Sequence, residues 1–293
     1  MKSAIELKDF RVTSSKFSIS KAKTNVKAFY RDDPDYEGQL AEHRAEIDDL
    51  QQKMYAHDRY GLLVIFQAMD AAGKDGAIKH VMSGINPHGV EVHAFKRPSE
   101  DELDHDYMWR TQLKLPPRGR IGVFNRSYYE EVLICKVHPE IVQNSQRLPN
   151  EESRDLKKLF RKRLDDMASF EAYAHRNGIR VMKVMLHVSK DEQRKRFLER
   201  IDDPAKNWKF NSGDVAERAH WKSYMKAYEE AIQATATKDC PWYVIPADDK
   251  KNARLLAAAA ILHELKQMGL EWPVLSPEEK AKLAQMRQSL LAD

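Results

Sequence analysis

The stretch Gly61-Leu-Leu-Val-Ile-Phe-Gln-Ala-Met-Asp-Ala-Ala-Gly-Lys-Asp-Gly76 decides how this chain is read. Its first half, Gly61–Phe66, is a continuous apolar run of strand length. Such runs suit strands buried on both faces of a parallel sheet. The second half turns on Gly73-Lys74 and leads into a plausible helix from Asp75 through Met82. A Gly-Lys pair at a strand-to-helix turn surrounds an anion with backbone N–H groups and a helix N-terminus, with the lysine reaching the same charge. Against the phosphate-loop pattern GxxxxGK[ST] the match is half complete. Gly73 and Lys74 stand in place, but Ala68 replaces the first glycine and Asp75 the hydroxyl residue. By itself the half-match also fits an ordinary strand–turn–helix connection.

Outward from this stretch, short apolar runs alternate with helical periods. Leu40, Ile47, Leu50 and Met54 recur at the spacing of one helix face. Further strand candidates are Val90–Phe95, Ile121–Phe124, Ile179–Val188 and Trp242–Ile245. Asn177-Gly178, just before the fourth of the five runs, is a good helix stop. Ser99-Glu-Asp-Glu102 and Ser189-Lys-Asp-Glu192 both have capping-box spacing. Strands separated by helices predict an α/β fold, a parallel sheet with helices on both faces. Ser276-Pro-Glu-Glu279 opens a terminal helix over about 277–291 and not a second domain. The whole chain, 1–293, reads as one domain.

Composition narrows the classes. With 42% hydrophobic and 32% charged residues in 293, the chain has material for a real core and is neither collagen-like, coiled-coil nor disordered. Its longest apolar run, Leu255–Leu262, is far too short for a membrane helix. The first thirty residues carry charges throughout and offer no signal-peptide core. Two cysteines, Cys135 and Cys240, are too few for a disulfide framework and read as reduced thiols in a cytoplasmic protein. The net charge of +4 is mild. Its clustering is more informative: 154–163 and 194–226 are both rich in Lys and Arg, which a solvated helix face would also explain.

Two further segments bear on the Gly-Lys turn. Ile121-Gly-Val-Phe-Asn-Arg-Ser-Tyr-Tyr-Glu130 is another buried-strand pattern ending in polar groups. In an open α/β sheet, ligand-contacting residues come from the carboxyl ends of strands, so Asn125 and Arg126 would face the crevice of Asp70 and Lys74. The same residues fit a cap, with Ser127 as N-cap and Glu130 at its third position. Glu199–Gly213 is a polar loop, punctuated by Pro204 and Gly213, that carries Arg200, Lys206 and Lys209. It has the character of a lid closing over anionic phosphates, since phosphoryl transfer needs positioning and positive charge. A surface loop anchored by a buried Trp208 is the plain alternative.

Taken together, Asp70–Gly76, Asn125–Glu130, Glu199–Phe210 and Trp242–Lys251 resemble the phosphate loop, second motif, lid and closing strand of the type-2 polyphosphate kinases. The resemblance runs from about residue 30 to 270 in the right order. It implies a three-layer α/β/α P-loop kinase fold like that of thymidylate kinase, with a helical lid over about 200–226. It implies an enzyme that moves a terminal phosphate, reversibly, between inorganic polyphosphate and nucleotides, with magnesium. By the resemblance Lys74 binds phosphates, Asp70 holds metal or orients the acceptor phosphate, and Arg126 steadies the transferred group. Ala72, Gly73, Asp75, Gly76 and Asn125 would line the phosphates, and Arg200, Lys206 and Lys209 would grip the polyphosphate chain. Most members carry Asp-Arg-Ser where this chain has Asn125. That change looks like the subgroup that phosphorylates both nucleoside mono- and diphosphates, AMP and ADP, giving ATP. Guanine nucleotides and a homo-oligomeric state are further expectations; nucleic acid and membrane are not expected partners.

Two other readings compete. An ATP-dependent nucleotide kinase would share loop and fold. A nucleic-acid-binding module would use the basic runs, but 154–163 and 194–206 contain only Phe160 and Phe197 as aromatic platforms. The patterns GxSxG, HExxH and GxGxxG are absent from the sequence.

Overall fold

In the computed structural model, which describes residues 5–292 apart from the Lys209 side chain, the apolar runs become the strands of one sheet. Among the described residues it has six strands: β1 (Arg11–Val12), β2 (Gly61–Ala68), β3 (Val90–Ala94), β4 (Ile121–Asn125), β5 (Ile179–His187) and β6 (Trp242–Pro246). Their order is β1-β6-β5-β2-β4-β3. All pairings are parallel except that of β1 with β6. Leu62–Phe66 of β2 are fully buried, because β4 and β5 flank this strand and helices cover both its faces. The chain leaves β2 toward β3 on one side and later returns to β5 on the other. The order therefore reverses at β2, the place where open α/β sheets bind ligands outside the carboxyl ends of their strands.

Burial on both faces fails for β3. It is an edge strand with Val92 half exposed, since nothing pairs with its outer side. β1 has no counterpart in the sequence reading, because two residues carry no period. It closes the opposite edge of the sheet, and the Val244 N–H donates to the Phe10 carbonyl at 2.8 Å beside it.

Helices Asp33–His57, Lys74–Met82 and Lys250–Lys266 pack together on one face; Leu156–Arg176 and Trp221–Thr235 pack on the other. The first starts at Asp32, whose carboxylate accepts the Asp35 N–H at 2.9 Å, and has Pro34 in its first turn. Its predicted stripe is real: Leu40, Ile47 and Met54 are fully buried, and truncating any one to Ala costs about 2–5 kcal/mol. Helix Leu156–Arg176 stops at Asn177-Gly178, and Gly178 sits at φ 84°. A Cβ there would lie 2.9 Å from the Arg59 carbonyl, so both space and backbone demand glycine.

The capping signals work to different lengths. Ser99 and Glu102 bond reciprocally but start only one turn, Glu100–Leu103. Ser189 accepts the Glu192 N–H at 3.1 Å and starts Lys190–Asp202. Beyond that helix the segment expected to form the lid consists of a loop, a short turn at Asn207–Lys209, the helix Ser212–Glu217 and a turn into Trp221. Trp208 is 78% exposed, so it does not anchor the loop as a buried side chain. The terminal helix Pro277–Ala292 forms behind a complete Ser276/Glu279 box and is exposed along its length. No helix among the described residues is long and apolar enough to cross a membrane.

Candidate active site

At the carboxyl end of β2 the chain makes a tight turn. Ala71 and Gly73 both adopt left-handed backbone, at φ 60° and 101°. Glycine takes this conformation freely, whereas alanine is strained there by about 1–2 kcal/mol. The turn delivers Lys74 as the first residue of its helix. The first intrahelical bond is Ala77 N–H to the Gly73 carbonyl at 2.9 Å. The N–H groups of Lys74, Asp75 and Gly76 precede it and face outward at the positive end of the helix, a favourable seat for an anion.

One guanidinium fixes the turn from behind. Arg196, buried in helix Lys190–Asp202, donates to the carbonyls of Ala71 (3.1 Å) and Ala72 (2.7 Å). Its other nitrogens donate to Ala247 (2.6 Å), Asp248 (3.0 Å) and the Glu192 carboxylate (2.8 Å). Gln193 donates to the Asp70 carbonyl at 2.8 Å and accepts from Arg218 at 2.8 Å. The turn is thus held by side chains about 120 residues away, and its carbonyls point away from the anion seat.

β4 supplies the opposite wall. Arg126 directly follows it at φ 65°, with its N–H bonded to the Phe66 carbonyl at 3.0 Å. This conformation brings its side chain to Asp70 at 3.0 Å and Glu130 at 3.4 Å. Gln67 of β2 donates to Glu130 at 3.0 Å, and the Asn125 amide donates to Asp75 at 2.8 Å. Ser127 caps the following turn through the Tyr129 N–H, not that of Glu130, and the Glu130 carboxylate accepts from both Gln67 and Arg126. Asp70, Lys74, Asp75, Asn125 and Arg126 are therefore gathered in one cleft, with Ala72, Gly73 and Gly76 in its turn.

The cleft is electrostatically tense. Burial, and after it the Arg126 guanidinium, push the Lys74 ammonium below its ordinary pKa, while Glu130, Asp70 and Asp75 oppose this. Glu130 and then Asp70 hold Arg126 in its charged form against desolvation. From the lid, burial and then Asp70 push the Asp214 carboxyl up. A phosphate entering here meets two cations and a helix N-terminus.

The lid residues are placed less directly. Arg200 lies 3.6 Å from Asp214, and Lys206 pairs with Asp203 at 2.7 Å inside the lid itself. The Lys209 side chain lies outside the described residues. Sequence reasoning passed over Arg196, Glu130, Gln67 and Asp214 as site residues. Glu130 read as a cap, and Arg196 stood in a basic run with nothing to mark it as buried.

The family model described as Polyphosphate kinase 2 (PPK2) matches residues 30–272. The chain is 50% identical over 288 residues, 98% of it and 99% of the relative, to an ADP-polyphosphate phosphotransferase of Rhodopseudomonas palustris. It is 39% identical to an AMP/ADP-polyphosphate phosphotransferase of Meiothermus ruber, over 80% of this chain and 82% of that one. The crystal structure of polyphosphate kinase 2 from Arthrobacter aurescens superimposes with a TM-score of 0.84 at 35% identity, covering 97% of this chain and 98% of the other.

Proposed function

The chain belongs to the polyphosphate kinase 2 family, and we propose that it transfers the terminal phosphate of inorganic polyphosphate to ADP and to AMP, reversibly. The observation that carries this reading is the cleft in which Lys74, Arg126 and the helix N-terminus converge beside Asp70. Phosphoryl transfer asks a protein for positioning and compensating charge more than for covalent chemistry. Lys74 and the N–H groups after it would hold the donor phosphates. Arg126, kept in place by Asp70 and Glu130, would meet the charge that builds on the transferred group.

Magnesium belongs to the same proposal. Among the described residues no three His, Cys, Asp or Glu side chains form a metal cage. Magnesium does not need one: it is bound through one or two carboxylates together with waters and substrate phosphates. Asp70 is the carboxylate that would hold it, and when bound it would neutralise phosphate charge. The double acceptor range rests on the resemblance at Asn125 to the subgroup that takes both; a neutral amide there repels a phosphate less than a carboxylate and can donate to it. The M. ruber relative carries both acceptors in its name, the R. palustris relative ADP alone.

The test is a time course from AMP with polyphosphate and magnesium. ADP should rise first and ATP follow. Turnover of ADP alone would remove AMP as an acceptor and leave the phosphotransferase reading standing; turnover only with ATP as donor would replace that reading by an ATP-dependent kinase.

A further inference from the structure

A cavity outside this cleft lies on the amino-terminal arm. It is an open groove of about 1250 Å³. Phe17, Val26 and Phe29, packed on the core, form part of its floor. Lys16, Lys21, Lys23 and Lys27 line it and are exposed. Among the described residues none of these four ammonium groups meets a carboxylate. The acids nearby are largely engaged: Glu6 pairs with Lys8 at 2.6 Å, and Asp35 lies 3.5 Å from Arg31 and accepts its N–H at 3.0 Å. That leaves Asp9 against four lysines within one short segment. Like charges so close repel each other unless an anion joins them.

The groove is also tied to the cleft. The Asp248 N–H donates to the Thr24 carbonyl at 2.9 Å, the Tyr30 hydroxyl to Asp249 at 2.8 Å, and the Phe29 N–H to Asn252 at 2.9 Å. Arg196 binds the Ala247 and Asp248 carbonyls of that same loop together with those of Ala71 and Ala72. One guanidinium thus links the anchor of the arm to the phosphate turn. Lys250 opens the helix between them, and burial and then Arg196 push its ammonium below the ordinary value.

We propose that this groove is a second polyanion subsite, which holds the distal part of a long polyphosphate while its end occupies the cleft. The proposal rests on the polyphosphate reading above. A cleft built around one phosphate turn holds a few phosphates, and the rest of a long chain needs a counter-charge wherever it emerges. Polyphosphate suits the exposed lysines, while Phe17 and Phe29 of the floor are partly buried against the core and not presented as the stacking platforms that single-stranded nucleic acid uses.

The experiment combines Lys16→Gln, Lys21→Gln, Lys23→Gln and Lys27→Gln in the full chain. With ADP as acceptor, KM for long-chain polyphosphate should rise about tenfold, the product of four modest exposed contacts. KM for hexaphosphate and kcat should stay as in the wild type. The four corresponding Lys→Arg changes should restore the long-chain KM, and salt should narrow the gap between long and short chains. Equal changes for both lengths, or none for the long chain, would overturn the subsite. Titration of fluorescent long-chain polyphosphate without nucleotide judges the groove independently of turnover: the Gln variant should bind it more weakly. Should the wild type turn over no polyphosphate, the functional reading fails while this titration still decides the groove. A variant that loses single-stranded RNA but keeps polyphosphate affinity would also overturn it.

Discussion

Replacing Arg126 by glycine should separate catalysis from stability. The side chain is 39% exposed, so its ion pairs with Asp70 and Glu130 are screened and contribute about 0.2–1 kcal/mol each. Its backbone stands at φ 65°, where a side chain costs about 1–2 kcal/mol. Glycine removes that strain but brings its own loss of chain entropy on folding, about 0.5–1 kcal/mol. These contributions nearly cancel. Net stability should change by about 1 kcal/mol or less, a shift of about 2–4 °C in Tm at most. Arg126→Ala loses the ion pairs and keeps the strain, and should be the less stable of the two. Catalysis has no such compensation. Losing one group aimed at developing phosphate charge commonly costs about 10²–10³ in rate, equivalent to about 2.7–4 kcal/mol. The assay is kcat with ADP and polyphosphate beside thermal melts of both variants. A glycine variant that keeps wild-type turnover would refute the role of Arg126. One that melts far below the alanine variant would refute the strain argument.

Arg196→Met should destabilise the protein by about 3–5 kcal/mol, because a buried guanidinium leaves Glu192 and four carbonyls without their donor; denaturant unfolding measures it. Arg196→Lys should recover only part of this loss, since one ammonium cannot span both loops. Asn125→Asp places a carboxylate against Asp75, now 2.8 Å from the amide, and should change the ratio of AMP to ADP turnover. Adding Asp75→Asn should move the ratio back, which a double-mutant cycle would detect as coupling. His138 gives a pH signature. Burial lowers its pKa, but bonds to Glu217 at 2.9 Å and Glu140 at 3.2 Å outweigh this and raise it above 6.5. The folded state then binds the proton more tightly than the unfolded chain. The stabilisation is full below about pH 6.5 and is lost as pH rises through the folded value. Denaturant melts on both sides of that window should differ less in His138→Gln than in the wild type.

What the sequence alone determined is what local physics controls. The apolar runs at 61–66, 121–124, 179–188 and 242–245 had to be buried, and caps such as Ser189 and Ser276 marked where helices start. The glycine and lysine of the phosphate turn were legible for the same reason: a left-handed position and a helix start are properties of a few consecutive residues. Tertiary structure decided which charges act together. Asp70 and Arg126 are 56 positions apart, and only the parallel pairing of β2 with β4 sets them 3.0 Å from each other. In the basic run, Arg194 and Lys195 stay in solvent while Arg196 turns inward, because only that residue of the three faces the phosphate turn. Lys183 looks like an interruption in an apolar strand, yet it is fully buried against Glu171 and the carbonyls of Thr235 and Cys240. Residue type tells how much a charge costs to bury; only the assembled layers bring the partner that makes burial possible.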